Sequence, residues 1–192
     1  ASFEYQGQKC SACSRAYIPE SVWADIEDEL LAEVAQITMG SAANISNFMT
    51  AVIDKRSFDN IKGYIDRANA RDSCEILIGG GCDDSVGYFV EPTIIRTTDP
   101  KAECLVEEIF GPVLTVYIYP DDEFEEALEM CDSASDYALT GSIFSSSEEN
   151  IALASKKLRF TAGNFYINDK PTGSVVGQQP FGGARASGTN DK

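Results

Sequence analysis

The chain has 192 residues, of which 43% are hydrophobic and 10% aromatic, a composition typical of a globular domain rather than of a disordered or fibrous segment. Its 15 Lys and Arg against 31 Asp and Glu give a net charge of −16, which disfavours binding to nucleic acid or to an anionic membrane. There is no histidine, so Ser-His-Asp and Cys-His mechanisms and His-ligated metal sites cannot be built from this chain alone.

The first half of the chain predicts a strand and two helices. A short buried strand from Ser14 to Ile18 ends at Pro19, and a long helix follows. Beyond a loop rich in Gly, Ser and Asn, either Asp54 or Ser57 caps a second helix. The first helix has an apolar stripe of Val22, Ile26, Leu30 and Val34. The second has a stripe of Phe58, Ile61, Ile65 and Ala68.

The second half continues the alternation of strands and helices. Strands are predicted at 75–78, 87–95 and 114–119, followed by a helix in D-E-F-E-E-A-L-E-M-C. The strand L-T-G-S-I-F, the helix S-E-E-N-I-A-L-A-S-K-K-L and the strand G-N-F-Y-I-N precede a Gly-rich tail. This order predicts an α/β fold with an open, mostly parallel twisted sheet and helices on both faces. We expect one domain, 1–192, and ligands beyond the carboxyl ends of the strands, where the tail after Asn168 emerges if the last strand is central.

Cys10 is the candidate nucleophile, because it lies on a Gly/Gln turn just before a predicted strand. A thiol reacts as its thiolate, and the neighbouring Lys9 supplies a positive charge that favours this form. The alternative is that Cys10 is a small buried hydrophobe. Cys10 and Cys13 also form a C-x-x-C, which could be redox-active or half of a zinc site, although no second C-x-x-C accompanies it. The six cysteines are irregularly spaced, which favours a reducing compartment.

Two further segments contain residue types that could bind a ligand. The turn E-E-I-F-G-P-V, 107–113, is either ordinary turn chemistry or a carboxylate and an aromatic ring placed to hold a ribose diol and a flat ring. The Gly-rich tail is either a long structured loop or a nest of backbone N–H groups for an anion such as a carboxylate.

Four motifs together resemble the catalytic part of the aldehyde dehydrogenase superfamily across essentially the whole chain. They are G-Q-K-C, the G-x-F-x-x-P-T stretch from Gly87 to Thr93, E-E-I-F-G-P-V, and P-F-G-G-A-R-A-S-G from Pro180. The longer matches K-C-S-A-C-S-R, A-G-N-F-Y-I-N-D-K and T-G-S-V-V-G-Q-Q-P-F-G-G-A-R-A-S-G-T-N-D-K resemble one branch of it. That branch oxidises L-glutamate γ-semialdehyde, which forms from Δ1-pyrroline-5-carboxylate in proline catabolism.

The resemblance implies a role for each matching residue. Cys10 attacks the aldehyde to give a thiohemiacetal, hydride passes to NAD, and water hydrolyses the thioester. The Cys10 backbone N–H is one oxyanion donor. Glu108 holds the nicotinamide ribose and Phe110 lies against the nicotinamide. The substrate residues implied are Lys9, Ser11, Gly173 and Ser174 for the carboxylate end and Phe181 for the aliphatic part.

The family pattern also implies residues that do not occur in this sequence. Its general-base glutamate, the asparagine of its oxyanion hole and its NAD-binding domain precede the catalytic cysteine, so we expect the chain alone to be inactive. A mitochondrial matrix location and a homodimeric full-length protein are likewise implied by the family. Two alternatives stay open: oxidation of another short semialdehyde, or a truncated, non-catalytic variant that binds the complete enzyme.

Overall fold

A computed structural model describes residues 1–175 and 177–189. The motif letters at Val176 and at Asn190, Asp191 and Lys192 therefore lie outside the described residues. Contacts between Cα atoms group the chain into two compact units, one of Ser2–Asp122 and one of Ala1 with Glu123–Lys192.

The Ser2–Asp122 unit is built around a four-stranded sheet. Its elements after a 3₁₀ turn at Glu4–Gly7 are β1 (Arg15–Pro19), α1 (Glu20–Ala35), α2 (Lys55–Asn69), β2 (Cys74–Ile78), β3 (Cys82–Asp83), β4 (Phe89–Val90), β5 (Thr93–Thr97), α3 (Glu103–Val106) and β6 (Val113–Tyr119). The strand order is β1-β6-β5-β2. Strands β1 and β5 run parallel to β6, whereas β2 is antiparallel to β5. The predicted mostly parallel sheet is confirmed.

Alternate residues of β6 point to opposite faces of this sheet, and each face is covered by helices. Val113 belongs to a core cluster with Phe58 and Ile61 of α2. Leu114 belongs to a second cluster, with Trp23 and Val34 of α1. The prediction of helices on both faces is therefore confirmed. These two layers hold the loops at the strand ends in place.

The predicted burial is correct for the apolar stripe of α2 but not for all of the stripe of α1. In α2, all four predicted stripe residues are buried, and the Asp54 carboxylate caps the helix by accepting from the Ser57 N–H at 2.7 Å. In α1, the prediction is wrong at Val22, which is 42% exposed, while Trp23 is 5% exposed. One face of the helix has to fill the core, and the larger indole of Trp23 buries more apolar surface there.

The predicted strand at 87–95 is divided by Glu91 and Pro92. Pro92 has no N–H to donate to a ladder, so the chain changes partner at this point. Strand β4 pairs with β3 in a two-stranded ribbon, and β5 enters the main sheet. The helix α3 was not predicted, because its four residues are too few to show the apolar spacing of a helix.

The second unit contains α4 (Phe124–Ser133), β7 (Tyr137–Ala138), β8 (Thr140–Ile143), α5 (Glu148–Lys157), β9 (Asn164–Ile167) and β10 (Ala184–Arg185). Strand β8 runs parallel to β9, and β10 is antiparallel to β7. Its core cluster comprises Leu128, Ile143, Ala154 and Leu158. No helix among the described residues is both long enough and apolar enough to cross a membrane.

Candidate functional site

Cys10 lies on an exposed turn between the 3₁₀ turn and β1, and it carries a free thiol. The turn is closed by a hydrogen bond from the Ala12 N–H to the Lys9 carbonyl at 3.0 Å. The alternative that Cys10 is a buried small hydrophobe is wrong. Its sulfur is available to a molecule in solution.

The segment just before this turn has a strained backbone. Tyr5, Gln6 and Gly7 all have left-handed backbone, with φ of 56°, 58° and 64°. Such a conformation costs about 1–2 kcal/mol for each non-glycine residue, so other contacts have to impose it. Two glutamine amides do so. Gln6 donates to Thr50 Oγ1 at 2.8 Å. Gln8 donates to Ser57 Oγ at 2.8 Å and accepts from the Ile53 N–H at 2.9 Å.

Sequence reasoning assigned no role to either glutamine. The signal that could have found them is their place on both sides of a glycine directly before a candidate nucleophile, where buried amides commonly fix a loop. Gln6 and Gln8 fasten the cysteine loop to the segment that leads into α2.

Cys13, the second cysteine of the C-x-x-C, is not equivalent to Cys10. Its thiol is partly buried and donates to the Arg15 carbonyl at 3.4 Å. Burial raises the pKa of the Cys13 thiol, so its thiolate is rarer than that of an ordinary cysteine. No group of three potential ligand side chains suited to a metal ion occurs within residues 1–175 and 177–189.

The other two predicted residues of this loop take different environments. The Lys9 ammonium pairs with the Glu4 carboxylate at 3.0 Å on a partly exposed surface. Its positive charge is thus partly neutralised by Glu4 before any substrate arrives. Ser11 is buried, with 8% of its surface exposed.

The turn at 107–113 presents two predicted residues outward. Glu108 is exposed and Phe110 is 42% exposed, while the intervening Ile109 is buried and anchors the turn. Phe110 has a φ of 56°, a strained conformation for an aromatic residue. The next residues tie the turn to the sheet, since the Pro112 carbonyl accepts from the Thr93 N–H at 2.9 Å. Backbone strain of this kind commonly marks a functional position.

Gly7 and Gly111 bring the cysteine loop and the Glu108 turn into direct contact. A Cβ placed on Gly7 would lie 2.1 Å from the Gly111 carbonyl oxygen, so the two backbones touch. Both segments precede a strand, β1 for Cys10 and β6 for Glu108. Ligands were expected beyond the carboxyl ends of the strands, which is the opposite edge from these two residues. They lie at the amino ends, because the loops that enter β1 and β6 are the ones with the reactive side chains.

A groove with a volume of about 750 Å³ opens beside this contact, and we call it the Phe110 groove. It is lined by Phe110, by three residues of the segment just before Cys10 (Tyr5, Gln6 and Gln8), and by residues at the start of α2 such as Ser57 and Asn60. An exposed aromatic ring beside polar side chains suits a ligand that has both a flat ring and hydroxyl groups.

The remaining predicted residues, Gly173, Ser174 and Phe181, lie in the second unit, where the structure groups them. The chain leaves β9 at its carboxyl end and then turns back to the amino end of the strand. There, the Asn164 side chain lies 3.4 Å from Ser174 Oγ and donates to the Pro180 carbonyl at 2.9 Å. The Phe181 ring is 45% exposed. Asn164 was not predicted as a site residue; its polar side chain at the start of a predicted strand was the only signal.

Arg185 holds the end of this tail. Its guanidinium donates to the Asp132 carbonyl at 2.7 Å and to the Asp132 carboxylate at 2.5 Å. The Thr161 hydroxyl donates to the same carboxylate. Burial acts to raise the pKa of Asp132, but these two hydrogen bonds and the guanidinium charge together lower the pKa below its ordinary value of 3.8.

The Asp132 cluster predicts a pH-dependent stability. Because the pKa of Asp132 is lowered in the folded state, its contribution is complete above pH 3.8 and is lost as the pH falls through the folded pKa. We expect Asp132→Asn to lower the free energy of unfolding by about 1 kcal/mol at neutral pH, given solvent screening of a partly exposed pair. The difference should shrink steadily as the pH falls below 3.8. Urea unfolding of both proteins at neutral pH and below pH 3.8 measures this, and a pH-independent difference would contradict it.

Comparison with known proteins gives a consistent result. The pattern of the aldehyde dehydrogenase family matches residues 1–192. The chain is 62% identical to a mitochondrial delta-1-pyrroline-5-carboxylate dehydrogenase of Dictyostelium discoideum and 56% identical to its human counterpart. In each case the match covers 100% of this chain and 34% of the relative. A crystal structure of the Mycobacterium tuberculosis delta-pyrroline-5-carboxylate dehydrogenase bound with NAD superposes with a TM-score of 0.90 at 49% identity, over 100% of this chain and 34% of that one. The chain thus spans about a third of the length of these relatives.

Proposed function

Because this chain belongs to the aldehyde dehydrogenase family, we propose that it forms the cysteine-bearing part of an enzyme that oxidises L-glutamate γ-semialdehyde to L-glutamate in proline catabolism. The observation that supports this best is the exposed thiol of Cys10 on a loop in backbone contact with the turn that presents Glu108 and Phe110. The relatives named for the same activity support the choice of substrate.

Cys10 is the catalytic residue in this proposal. Its thiolate adds to the aldehyde carbon, and the carbonyl oxygen becomes the oxyanion of a thiohemiacetal, toward which the Cys10 backbone N–H donates. When bound, NAD accepts the hydride lost from that carbon. Cys10 then holds the acyl group as a thioester until water attacks it, which releases the γ-carboxylate of glutamate and restores the thiol.

We assign the nicotinamide end of NAD to the turn of Glu108 and Phe110, where Phe110 also lines the Phe110 groove. The Glu108 carboxylate is exposed and can accept from the two hydroxyls of a ribose, and the Phe110 ring offers a face to the nicotinamide. Both side chains belong to one short turn that buried Ile109 holds in place. The bound NAD named for the Mycobacterium tuberculosis relative supports the same cofactor for this chain.

In the second unit we assign Gly173 and Ser174 to the carboxylate end of the substrate and Phe181 to its aliphatic part, and the family resemblance assigns Ser11 and Lys9 to the same carboxylate. Backbone N–H groups and hydroxyls recognise a carboxylate at low cost in desolvation. We also place the enzyme in the mitochondrial matrix as a homodimer. The names of the relatives support the compartment, and the family resemblance supports the assembly.

The test is NADH formation by the native protein, meaning the full-length protein that contains this chain, with two substrates, L-glutamate γ-semialdehyde and the uncharged pentanal. We expect the semialdehyde to have the higher kcat/KM by about a hundredfold, since a site built for a charged group discriminates strongly against an analogue that lacks it. Equal rates with both aldehydes would instead favour another substrate in the same family. Failure to oxidise either, together with binding to a complete aldehyde dehydrogenase, would favour the non-catalytic alternative.

A further inference from the structure

The geometry points to Asn164 as a positioning residue that determines specificity for aldehydes with a carboxylate at the far end, by holding Ser174 and Phe181 in place. This inference rests on the proposed function. Asn164 is the first residue of β9 and is partly buried in the second unit.

The side-chain amide of Asn164 connects both ends of the loop. Nδ2 donates to the Pro180 carbonyl at 2.9 Å and lies 3.4 Å from Ser174 Oγ, while Oδ1 accepts from the Gly182 N–H at 3.1 Å. The Pro180 carbonyl can only accept and the Gly182 N–H can only donate. The orientation of the amide is therefore determined by its partners.

These contacts bracket Phe181 and orient Ser174. The backbone groups on both sides of Phe181 are held by the same amide, so its 45% exposed ring is kept outward. At Ser174, the hydroxyl oxygen accepts from Nδ2, which leaves the hydroxyl hydrogen available for an external acceptor such as a carboxylate. One side chain thus sets both the polar and the apolar contact of the proposed substrate loop.

The loop is in close contact with the chain around Asn164 at two points. A Cβ on Gly163, the preceding residue, would lie 1.8 Å from the Gly182 carbonyl oxygen, so the two backbones are already in contact. A Cβ on Gly173 would lie 3.2 Å from both Asp169 Oδ2 and Tyr166 Cε1. At Gly182 and Gly173 the chain therefore packs directly against the start and the exit of β9, and Asn164 supplies the polar part of that packing.

The test is Asn164→Leu, which keeps the volume of the side chain and removes its hydrogen bonds. In the native protein we expect kcat/KM for L-glutamate γ-semialdehyde to fall about tenfold or more, mainly through KM, the effect of losing one hydrogen bond to a charged group. The kcat/KM for pentanal should fall by a smaller factor, because this aldehyde uses the Phe181 contact but has no carboxylate for Ser174. The matched control is Asn150→Leu, an exposed asparagine on α5 of the same unit, which should change neither value.

A double-mutant cycle with Ser174→Ala tests whether Asn164 acts through Ser174. Since Asn164 acts through Ser174, the combined variant should lose little more selectivity than either single variant. Thermal unfolding checks that Asn164→Leu is folded. If it is not, Asn164→Asp is the second variant, because a carboxylate still accepts from the Gly182 N–H but cannot donate to the Pro180 carbonyl, and the same selective loss is expected.

The outcomes separate the two proposals. Equal losses for both aldehydes, or no loss for either, would overturn the positioning role while leaving the proposed function intact. A native protein that does not oxidise the semialdehyde would overturn the proposed function and this inference with it.

Discussion

Cys10→Ser should lower kcat for aldehyde oxidation by about 10⁴-fold or more, because a hydroxyl is a far weaker nucleophile than a thiolate and this chain has no histidine to activate it. NADH formation by the native protein and by the variant measures the loss. Since Cys10 is exposed, the substitution should leave the thermal unfolding temperature unchanged. The loss would then belong to the chemistry and not to the fold.

Cys13→Ser is the matched control in the same C-x-x-C. Cys13 is partly buried and burial raises the pKa of its thiol, so we expect it to react slowly with iodoacetamide and to be dispensable for turnover. Mass spectrometry of the labelled peptides should show Cys10 modified before Cys13, and the two rates should converge in denaturant. A variant at Cys13 as inactive as the one at Cys10 would point to two-cysteine redox chemistry.

Gly7→Ala should lower the free energy of unfolding by about 3 kcal/mol or more and impair turnover as well. Two costs combine at this position. The φ of Gly7 is +64°, which an L side chain rarely adopts, and the new Cβ would lie 2.1 Å from the Gly111 carbonyl oxygen. The atom it meets is backbone, which cannot rotate away. The cysteine loop and the Glu108 turn would have to separate.

Gly177→Ala separates these two costs. Gly177 has a φ of +78°, but a Cβ there would have no heavy atom within 4 Å. It should therefore show only the conformational cost, about 1 kcal/mol. Chemical denaturation of both variants gives the comparison, and iodoacetamide labelling reports whether the cysteine loop has changed. Equal destabilisation by the two substitutions would show that the Gly7–Gly111 contact adds nothing.

Apolar periodicity predicted most of the regular elements, and the reason is local. The stripe of α2 and its Asp54 cap are set by residues three or four positions apart, which interact in any helix regardless of the rest of the fold. The strand β6 was predicted to within a residue because its entire length is buried or nearly so. Where a neighbouring element decides the outcome, as for Val22 against Trp23 in α1, the same reasoning failed.

The sequence by itself determined the family, the candidate nucleophile and the residue types around it, because reactive side chains and their immediate neighbours are local in the chain. Only the tertiary structure decided that the Cys10 loop and the Glu108 turn meet at the amino ends of their strands, through the contact of the Gly7 and Gly111 backbones. It alone gave roles to Gln6, Gln8 and Asn164. Their amides form hydrogen bonds to backbone and hydroxyl groups from distant parts of the chain. The apolar periodicity of a sequence does not reveal contacts that form only on folding.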